Sequence, residues 1–431
     1  MESVRASGLS SPHVVMPTRT IFLALLVTAV AVTDISCARP EPADWTVTVQ
    51  QVASPAGGTS SEPQLSVSDR GILLSWIERV GPTTHLKFAE RTASGWTAPV
   101  TAASGPGWFL SYADVPSVMR MSDGTLVAQW GTNTDELREA YDLQLSYSKD
   151  DGATWAPPFM PHDDGTTTQH GFASLIEMAA GGLGVLWLDG RNSEFTDDPD
   201  SGTMTLRFAS FDANWNQTAD VEIDHQVCEC CSTTAVMTSD GILAAFRDLL
   251  PRDDAEFRDI GFSRLEGDAW TPTAIVSEDN WEVYSCPVNG PMLSARGRDV
   301  VVAWFTVKDD QGQAYAAFSS DAGRTWGAPI RLDDGGSLGR VDVEMLDDGS
   351  AVATWVGFAE GRSDFQLRLV DRSGARSDAI TVTGVSGGRA SGFPRVARQG
   401  DVLVFAWSQS ATVGGEDTGA LTVQTAIALL P

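Results

Sequence analysis

One pattern occurs seven times along the sequence, and its regular return constrains the fold more than any other feature. In each copy a short apolar run includes an aromatic residue near its end, after a turn signal such as Ser-Asp-Gly, Asp-Asp-Gly or Arg-Gln-Gly. A second run, in which apolar and polar residues alternate, follows each copy, and that alternation is typical of a half-buried β-strand. The apolar runs span residues 72–79, 125–130, 183–189, 242–248, 300–306, 351–357 and 402–408.

The number of strands in each repeat indicates how the units are arranged in space. A fourth short strand is predicted in six units, for example at 329–333 and 379–384, whereas the seventh unit reaches Pro431 without one. The segment 45–52 alternates in the same way and has no partner strands of its own. Four-stranded units repeated around an axis form a β-propeller, whose first and last blades join to remove an exposed edge. The sequence therefore predicts an all-β propeller of seven four-stranded blades in one domain, 45–431, closed by its N-terminal strand.

Residues 1–37 have the character of a signal peptide, because a basic residue precedes the apolar run 21–32 and small residues follow it. The end of this segment resembles a bacterial lipoprotein signal, so we expect either lipidation of Cys37 or ordinary cleavage near it. A short linker, 38–44, would follow. We expect the mature protein outside the cytoplasm, as a periplasmic or cell-envelope lipoprotein or as a secreted protein.

The chain is strongly acidic, with 57 Asp and Glu residues against 29 Lys and Arg residues and a formal net charge of −28. A nucleic-acid surface needs clustered lysines and arginines, so this balance argues against a nucleic-acid partner. Membrane contact is expected only through the lipid that Cys37 would carry. We expect the protein to be a monomer.

Two turns between predicted third and fourth strands share a sequence signature. Residues 148–155 and 319–326 both fit the pattern S-x-D-x-G-x-T-W, in which the Asp accepts from the turn's own amides and the Gly takes a positive φ. These turns resemble the Asp-box, or BNR, repeats, and sialidases are the best known proteins that carry them. The resemblance covers nearly the whole mature chain. It implies the propeller fold but no activity, because the boxes are structural in that family.

Sialidases have a recognisable catalytic set, and this sequence matches little of it. The resemblance implies a tyrosine nucleophile paired with a glutamate, an acid/base aspartate, and three arginines that hold the substrate carboxylate. Arg247 matches one of the arginines, whereas Ser61-Glu62-Pro63 stands where another is expected and Ser232 stands near the expected glutamate. Sialidase propellers have six blades, which is the alternative to the seven counted here.

Whether the protein is an enzyme stays open at this point. An enzyme of this kind would be a glycoside hydrolase of the sialidase type, such as an exo-sialidase. Its catalytic candidates are the arginine of that match and the acidic and tyrosine residues expected near the channel: Arg247, Asp114, Tyr284 and Tyr112. A glycosidase predicts one of the two tyrosines within reach of a carboxylate such as Asp114.

The loops that lead into each innermost strand, and those that link second to third strands, gather around one end of a propeller's channel. We call this end the mouth. Polar and aromatic residues on these loops are the predicted ligand-binding set, and a glycan is the leading ligand because aromatic faces suit sugar stacking. The set consists of Trp108, His170, Asp189, Arg191, Asn289, Arg340, Asp342 and Arg395.

Four of the five cysteines belong to the same loops. Val-Cys-Glu-Cys-Cys holds Cys228, Cys230 and Cys231, and the repeat register places Cys228 and Cys286 at equivalent positions of neighbouring blades. In an oxidising compartment these thiols would form disulfides, with Cys228 and Cys286 brought together and the adjacent pair either bridged or free. A copper or zinc site that also uses His170 is the second hypothesis, and redox chemistry is the third.

The sequence thus favours an exported, sialidase-like Asp-box propeller that binds a glycan or small ligand at a cysteine-stabilised mouth. Two alternatives remain open. One is an exo-sialidase or other glycoside hydrolase, and the other is a metal-binding or redox protein that uses cysteine and histidine.

Overall fold

The computed structural model of the protein describes residues 45–135, 140–193, 202–252, 255–413 and 416–431. The expected signal peptide, Cys37 and the linker lie outside these residues. The regular secondary structure of the described residues is β-strand, apart from a single three-residue 3-10 helix at Arg389–Ser391. No helix within the described ranges is long and apolar enough to cross a membrane.

Seven sheets of the described chain are the blades, and one further two-stranded sheet is a separate hairpin. The N-terminal strand and blades 1 to 3 contain β1 (Val49–Val52), β2 (Ser60–Ser68), β3 (Gly71–Val80), β4 (Thr83–Thr92), β5 (Gly95–Trp96), β6 (Val100–Gly105), β7 (Trp108–Phe109), β8 (Ser117–Arg120), β9 (Leu126–Asp135), β10 (Ala140–Ser148), β11 (His170–Glu177), β12 (Leu183–Asn192), β13 (Thr203–Phe211) and β14 (Gln217–Asp224). Strands β2 to β6 belong to blade 1, β7 to β10 to blade 2, and β11 to β14 to blade 3.

Blades 4 to 7 complete the ring. They contain β15 (Thr234–Thr238), β16 (Gly241–Arg247), β17 (Leu250–Arg252), β18 (Ala255–Phe257), β19 (Ile260–Glu266), β20 (Ala269–Trp270), β21 (Ala274–Ile275), β22 (Met292–Arg296), β23 (Asp299–Lys308), β24 (Gln311–Ser319), β25 (Ile330–Arg331), β26 (Asp342–Met345), β27 (Ala351–Ala359), β28 (Arg362–Val370), β29 (Ile380–Val385), β30 (Arg395–Gln399), β31 (Val402–Val413) and β32 (Glu416–Leu429). Blade 4 starts at β15, blade 5 at β22, blade 6 at β26 and blade 7 at β30, while β17 and β18 form a separate hairpin.

First strands of neighbouring blades contact each other at six of the seven junctions of the ring, so these strands surround the channel. Such contacts join β2 to β8, β11 to β15, β15 to β22, β22 to β26, β26 to β30, and β30 back to β2. The prediction of seven four-stranded blades is confirmed, and the six-bladed alternative is wrong.

Blade 7 takes its fourth strand from the other end of the chain. Its sheet has the order β1, β32, β31, β30, and β1 pairs antiparallel with β32 so that Val49 faces Ala428 and Val52 faces Thr425. The outermost strand of the last blade therefore comes from the beginning of the described chain.

The aromatic residue that marked each repeat lies in the core between blades. Trp76, Trp187, Trp304 and Trp407 on the second strands have no exposed surface, and Phe246 is 1% exposed. Each packs against apolar side chains of its own and the adjacent blade. The aromatic residue repeats along the sequence because each blade buries one at its interface with a neighbouring blade. Burial of these large side chains stabilises the fold.

Both Asp-box turns have the local structure that their sequence predicts. In the first, Asp150 accepts from the Thr154 N–H over 2.8 Å and from its hydroxyl over 2.6 Å. In the second, Asp321 accepts from the Thr325 N–H over 2.9 Å and from its hydroxyl over 2.7 Å. The glycine of the first box, Gly152, has φ of 87°. The first turn follows β10 and the second lies between β24 and β25, so both leave a third strand at the channel end opposite the mouth.

Candidate functional site at the channel mouth

A cavity of about 170 Å³ occupies the channel just below the mouth. Innermost strands from six of the seven blades contribute to its wall. Its polar lining includes serine and threonine hydroxyls together with one carboxylate and one guanidinium: Ser117, Ser174, Ser232, Thr233, Asp114 and Arg395. A hydroxyl-rich wall that carries a single arginine can offer several hydrogen bonds and one positive charge to a ligand.

Arg395 supplies that positive charge from the first residue of β30. Its side chain is buried, with 5% of the residue exposed, and its Nε has no hydrogen-bond partner. Its Nη1 lies 3.4 Å from the Met292 sulfur, which is a weak acceptor. Burial lowers the pKa of this guanidinium, against the opposing charge of Asp342. Arg395 therefore keeps donor capacity inside the cavity.

Asp114 faces the same cavity and is held by two donors. Its Oδ2 accepts from the Tyr141 hydroxyl over 2.7 Å, and its Oδ1 accepts from the Phe172 N–H over 2.9 Å. Burial raises the pKa of this carboxyl to about 6, although both hydrogen bonds lower it. A Cβ at Gly171 would lie 2.2 Å from Asp114 Oδ2, so the pair depends on glycine at that position.

Glu62 is a second buried acid on the mouth side. The backbone of Glu62 has a φ of 58°, at an irregular part of β2. Burial raises the pKa of its carboxyl to about 8. The negative charge of Asp114 raises it further, while Arg79 lowers it. Asp114 lines the cavity and Glu62 lies near it, and two neighbouring buried acids with raised pKa values are typical of sites that handle protons or anions.

The predicted tyrosines do not form this pair. Tyr284 is 64% exposed and donates to Glu282 over 2.9 Å, while the Tyr112 ring stacks 6.3 Å from that of Phe393. The tyrosine that contacts Asp114 is Tyr141, in the third strand of blade 2. In the sequence, the third strand of blade 2 serves only as one of the repeats. The position of Tyr141 at the mouth end of a predicted third strand was the sequence signal that could have identified it as a site residue.

Trp108 packs inside the fold. The residue is 8% exposed, and its ring stacks on that of Trp130 with the centroids 5.3 Å apart. Both belong to the core between blades 1 and 2. Its aromatic face is therefore occupied by protein, which is the packing role that an aromatic loop residue has when it is not a sugar platform.

Arg247 is also a structural residue in this geometry. Its guanidinium donates to the main-chain carbonyls of Asn289, Arg258 and Phe305 over 2.8, 2.5 and 2.6 Å. It lies 4.9 Å from the centre of the Trp281 ring and is 1% exposed. These bonds link blades 4 and 5, so the arginine that matched the sialidase set has its donors engaged by protein.

Three further predicted ligand residues connect the loops of blades 5, 6 and 7. Arg340 donates to the Ser391 hydroxyl and, over 2.9 Å, to the Gly388 carbonyl. Asn289 accepts from the Arg340 N–H over 2.7 Å. Asp342 accepts from two main-chain N–H groups, and burial raises its pKa. The polar groups of these three residues thus hold the loops of the rim together. Of the eight predicted ligand-binding residues, Arg395 is the one that lines the cavity.

His170 lies in a separate buried cluster at the rim of blade 3. Its ring stacks on His162 with centroids 3.8 Å apart, and its Nε2 is 3.1 Å from Asp164 Oδ2. Its Nδ1 is 3.6 Å from Asp142 Oδ1. Burial, and then the neighbouring His170, lower the pKa of His162 to about 4, so that this imidazole is neutral at pH 7.

Asp189 and Arg191 belong to the same cluster. Asp189 accepts from the Arg191 Nε and Nη2 over 2.8 Å each, and from the Trp187 indole over 2.8 Å. Burial opposes ionisation of Asp189, but these hydrogen bonds and His170 hold its pKa below the usual value. The bidentate pair fixes the loop between the second and third strands of blade 3.

The four mouth cysteines are close together but not in the predicted pairs. Cys228 Sγ lies 2.8 Å from Cys231 Sγ and 3.9 Å from Cys230 Sγ. Cys286 groups with Cys230 and Glu229 instead, their ligand atoms all lying within 4.8 Å of one another. All four are free thiols in this structure. No group of close ligand atoms among the described residues combines His170 with a cysteine.

A buried arginine accompanies the thiols. Arg258 Nη1 lies 3.3 Å from Cys228 Sγ and 2.8 Å from Glu229 Oε2. Burial opposes ionisation of Cys228, but hydrogen bonds from the two neighbouring thiols and the charge of Arg258 bring its pKa well below the usual value. Burial raises the pKa of Cys231. One thiolate is thus favoured in a cluster whose other buried member stays protonated.

Comparison with known proteins adds information at the level of the fold. No protein-family model and no curated protein matches the sequence. A solved ulvan lyase of polysaccharide lyase family 25, bound to -[GlcA(1-4)Rha3S]-, superposes with a TM-score of 0.53 and 10% identity, covering 88% of this chain and 95% of that one. Sialidase propellers occur among the neighbours as well.

Two other structures are similar to the same extent. The polysaccharide lyase Uly1 has a TM-score of 0.51 with 11% identity, covering 88% of this chain and 92% of its own. A protein of unknown function from Dyadobacter fermentans has a TM-score of 0.51 with 14% identity, covering 89% and 98%. At these identities the likeness establishes a propeller architecture shared with glycan-acting proteins, and nothing about residues of the site.

Proposed function

We propose that the protein binds an acidic glycan at the channel mouth, with Arg395 meeting the carboxylate or sulfate of a sugar residue. The observation that carries this proposal is the buried guanidinium itself, which lines the cavity and has an Nε without a partner. Buried polar groups are normally hydrogen-bonded, and an arginine is well suited to a planar anion. A ligand anion would complete the hydrogen bonds of Arg395.

The rest of the cavity supports a sugar ligand over a simple anion. Serine and threonine side chains such as Ser117, Ser174 and Thr233 line the same wall as Asp114 and Arg395, and hydroxyls can donate to or accept from a sugar. The ulvan lyase neighbour, whose structure holds a glucuronate-containing unit, has the same architecture. We place this function outside the cytoplasm, because residues 1–37 have the character of a signal peptide.

Calorimetry of the mature protein with three oligosaccharide probes tests the proposal: a glucuronate-containing, a sialylated and a neutral one. We expect an acidic probe to bind and the neutral probe not to bind. Arg395→Gln should weaken binding by about 10-fold to 100-fold, because a charge-assisted hydrogen bond is lost. Arg395→Lys should fall between, since it keeps the charge without the planar fork.

Arg362→Gln is the matched control, because that side chain is 70% exposed and lies on β28 away from the cavity. It removes the same charge from the chain and should leave affinity unchanged. Equal binding of neutral and acidic probes, or full affinity in a folded Arg395→Gln protein, would overturn the proposal. Circular dichroism of each variant identifies those that fail to fold.

A second candidate function is cleavage of the same glycan, and the Asp114–Tyr141 pair is the observation that favours it. Some glycoside hydrolases use a tyrosine next to a carboxylate in place of two carboxylates. Here the tyrosine hydroxyl and the acid are 2.7 Å apart, and the acid, whose pKa is about 6, lines the cavity that contains Arg395. An acid with that pKa could exchange protons near neutral pH.

A further inference from the structure

We propose that Cys228, Cys230 and Cys231 form a binding site for a soft monovalent metal ion, copper(I), at the rim between blades 4 and 5. The three sulfurs all lie within 4.8 Å of one another although the residues span only four positions. This site does not depend on the glycan function, because Arg395 and Asp114 line the channel cavity and none of the three cysteines does.

The loop that carries the thiols is fixed by main-chain bonds on its N-terminal side. The Val227 N–H donates to the Met204 carbonyl over 2.9 Å, and the Cys228 N–H donates to the Arg247 carbonyl over 3.0 Å. Cys228 and Cys231 are each 1% exposed, whereas Cys230 is partly exposed. The sulfurs of Cys228 and Cys231 are therefore shielded from water, whereas the sulfur of Cys230 is partly accessible.

The distances suit three thiolates around one ion after a small adjustment. With metal–sulfur bonds of about 2.3 Å, sulfurs in a planar trigonal site are about 4 Å apart. Cys228 and Cys230 already meet this condition at 3.9 Å. Cys228 and Cys231, at 2.8 Å, would have to separate by rotation of one side chain.

Ligand type and number select copper(I) over other ions. Thiolates prefer soft ions such as copper(I), and a structural zinc site normally has four nitrogen or sulfur ligands. The buried group supplies three sulfurs and no imidazole among the described residues. Hard ions such as calcium and magnesium require oxygen ligands and do not fit this set.

The surroundings offset the negative charge that such a site acquires. Three thiolates with one monovalent cation carry two negative charges, and thiol protons are released on binding. Arg258 is buried, with 4% of the residue exposed, and its Nη1 lies 3.3 Å from Cys228 Sγ. A buried cation at this distance reduces the cost of the buried charge.

Cys286 and Glu229 provide a path to the buried sulfurs. Cys286 is exposed, and its sulfur lies 3.7 Å from Glu229 Oε1. Cys230 belongs both to the outer group, with Glu229 and Cys286, and to the inner group, with Cys228 and Cys231. An ion first held by Cys286 and Cys230 can therefore move to the inner group without leaving Cys230. Exchange of one thiolate for another is sufficient, with no change of oxidation state.

Titration of the reduced, mature protein with copper(I) under anaerobic conditions, against a chromophoric competing chelator, tests the site. We expect one equivalent to bind, with ultraviolet absorbance from thiolate-to-copper charge transfer. Cys230→Ser should weaken binding by about 100-fold or more, because one of three ligands is lost. Cys286→Ser should keep the stoichiometry and affinity but slow the uptake measured by stopped flow.

The same four thiols could instead form disulfides, and the experiment separates the two cases. A thiol count and metal analysis come first, on protein purified from an oxidising compartment without chelator. Zero free thiols with no copper, and no copper uptake after reduction, would overturn the proposal. So would tighter binding of zinc than of copper in the same competition, or unchanged affinity in Cys230→Ser. Ser285→Ala, an exposed neighbour of Cys286, is the control.

Discussion

The Tyr141 hydroxyl donates to Asp114 Oδ2 over 2.7 Å at the wall of the channel cavity. The same carboxylate accepts from the Phe172 N–H over 2.9 Å, so its orientation is fixed from two sides. Burial raises its pKa to about 6, which gives it both protonation states near neutral pH. Because of its position, its access to the cavity and its pKa, substitutions in this pair test whether the protein cleaves the glycan that it binds.

If the pair catalyses cleavage with Asp114 as the acid, the rate on an acidic oligosaccharide should fall as pH rises through about 6. Asp114→Asn should lower the rate by roughly 100-fold or more, and Tyr141→Phe should lower it as well. Tyr147→Phe is the control, because the Tyr147 ring of blade 2 stacks on Trp215 of blade 3 and does not line the cavity. Reducing-end release over a range of pH measures the effect. A wild-type protein that binds the probe and never cleaves it contradicts this candidate.

Gly171→Ala should destabilise the protein. A Cβ there would meet Asp114 Oδ2 at 2.2 Å and the Tyr141 hydroxyl at 2.3 Å, and both groups are buried and paired with each other. We expect a loss of about 2–3 kcal/mol in the free energy of unfolding, as for other overpacked sites. Gly58→Ala is the matched control, since nothing lies within 4 Å of its Cβ position. Urea unfolding of both variants decides the matter, and equal midpoints would disprove the steric argument.

His162 should make the protein sensitive to acid. Burial and the neighbouring His170 lower its pKa from 6.5 to about 4. The unfolded chain takes up a proton near pH 6.5 and the native protein only near pH 4, so this stabilisation is complete above 6.5 and falls as pH drops towards 4. By pH 4.5 the loss should be about 2–3 kcal/mol. His162→Gln should flatten the dependence of the urea midpoint on pH, and the exposed His225→Gln should not.

Glu62 should have the opposite effect at alkaline pH. Burial raises its pKa from 4.5 to about 8, so the native protein favours the protonated form. Its contribution is complete below about 4.5 and is lost as pH rises through 8. We expect Glu62→Gln to lose on the order of 2 kcal/mol less stability than wild type between pH 6 and pH 9. Glu278→Gln, at an exposed position, is the control. Parallel curves for Glu62→Gln and wild type would show that the acid is ionised throughout.

Arg247→Met should destabilise the fold without changing glycan affinity per folded molecule. The substitution leaves the carbonyls of Asn289, Arg258 and Phe305 without their donor, at an expected cost of about 3 kcal/mol. Arg252→Met removes an exposed arginine nearby and should cost little. Unfolding midpoints and calorimetric affinities are needed for both. A large fall in affinity with unchanged stability would return Arg247 to the binding role suggested by the sialidase resemblance.

The fold could be predicted because its signals are local and repeated. The aromatic residue of each second strand, such as Trp76 or Trp304, is buried for the same reason in every blade. A period-two strand pattern followed by a turn specifies a hairpin without knowledge of distant contacts. Seven weak signals in register reinforce one another, and the Asp boxes at Asp150 and Asp321 fix the register twice more.

The site could be predicted only as a region, because the partners of its polar groups come from other blades. Arg247 had the right residue type for an anion, but carbonyls two loops away use its donors. Cys228 and Cys286, at equivalent positions of adjacent blades, do not pair, because Cys286 lies beside Cys230 and Glu229. A tight turn instead brings Cys228 onto Cys231. Tyr141 was missed because the repeat gave its strand no role at the mouth.

The pairing of β1 with β32 has a consequence for how the chain reaches its native state. Val49 faces Ala428 and Val52 faces Thr425, so blade 7 cannot be completed until the last strand has been synthesised. The entropy of closing so long a loop is lost late in folding, and until β1 pairs with β32 the edge of β32 stays open to wrong partners. We therefore expect the seam between β1 and β32 to be the last part of the ring to form and the first to open when the ring comes apart.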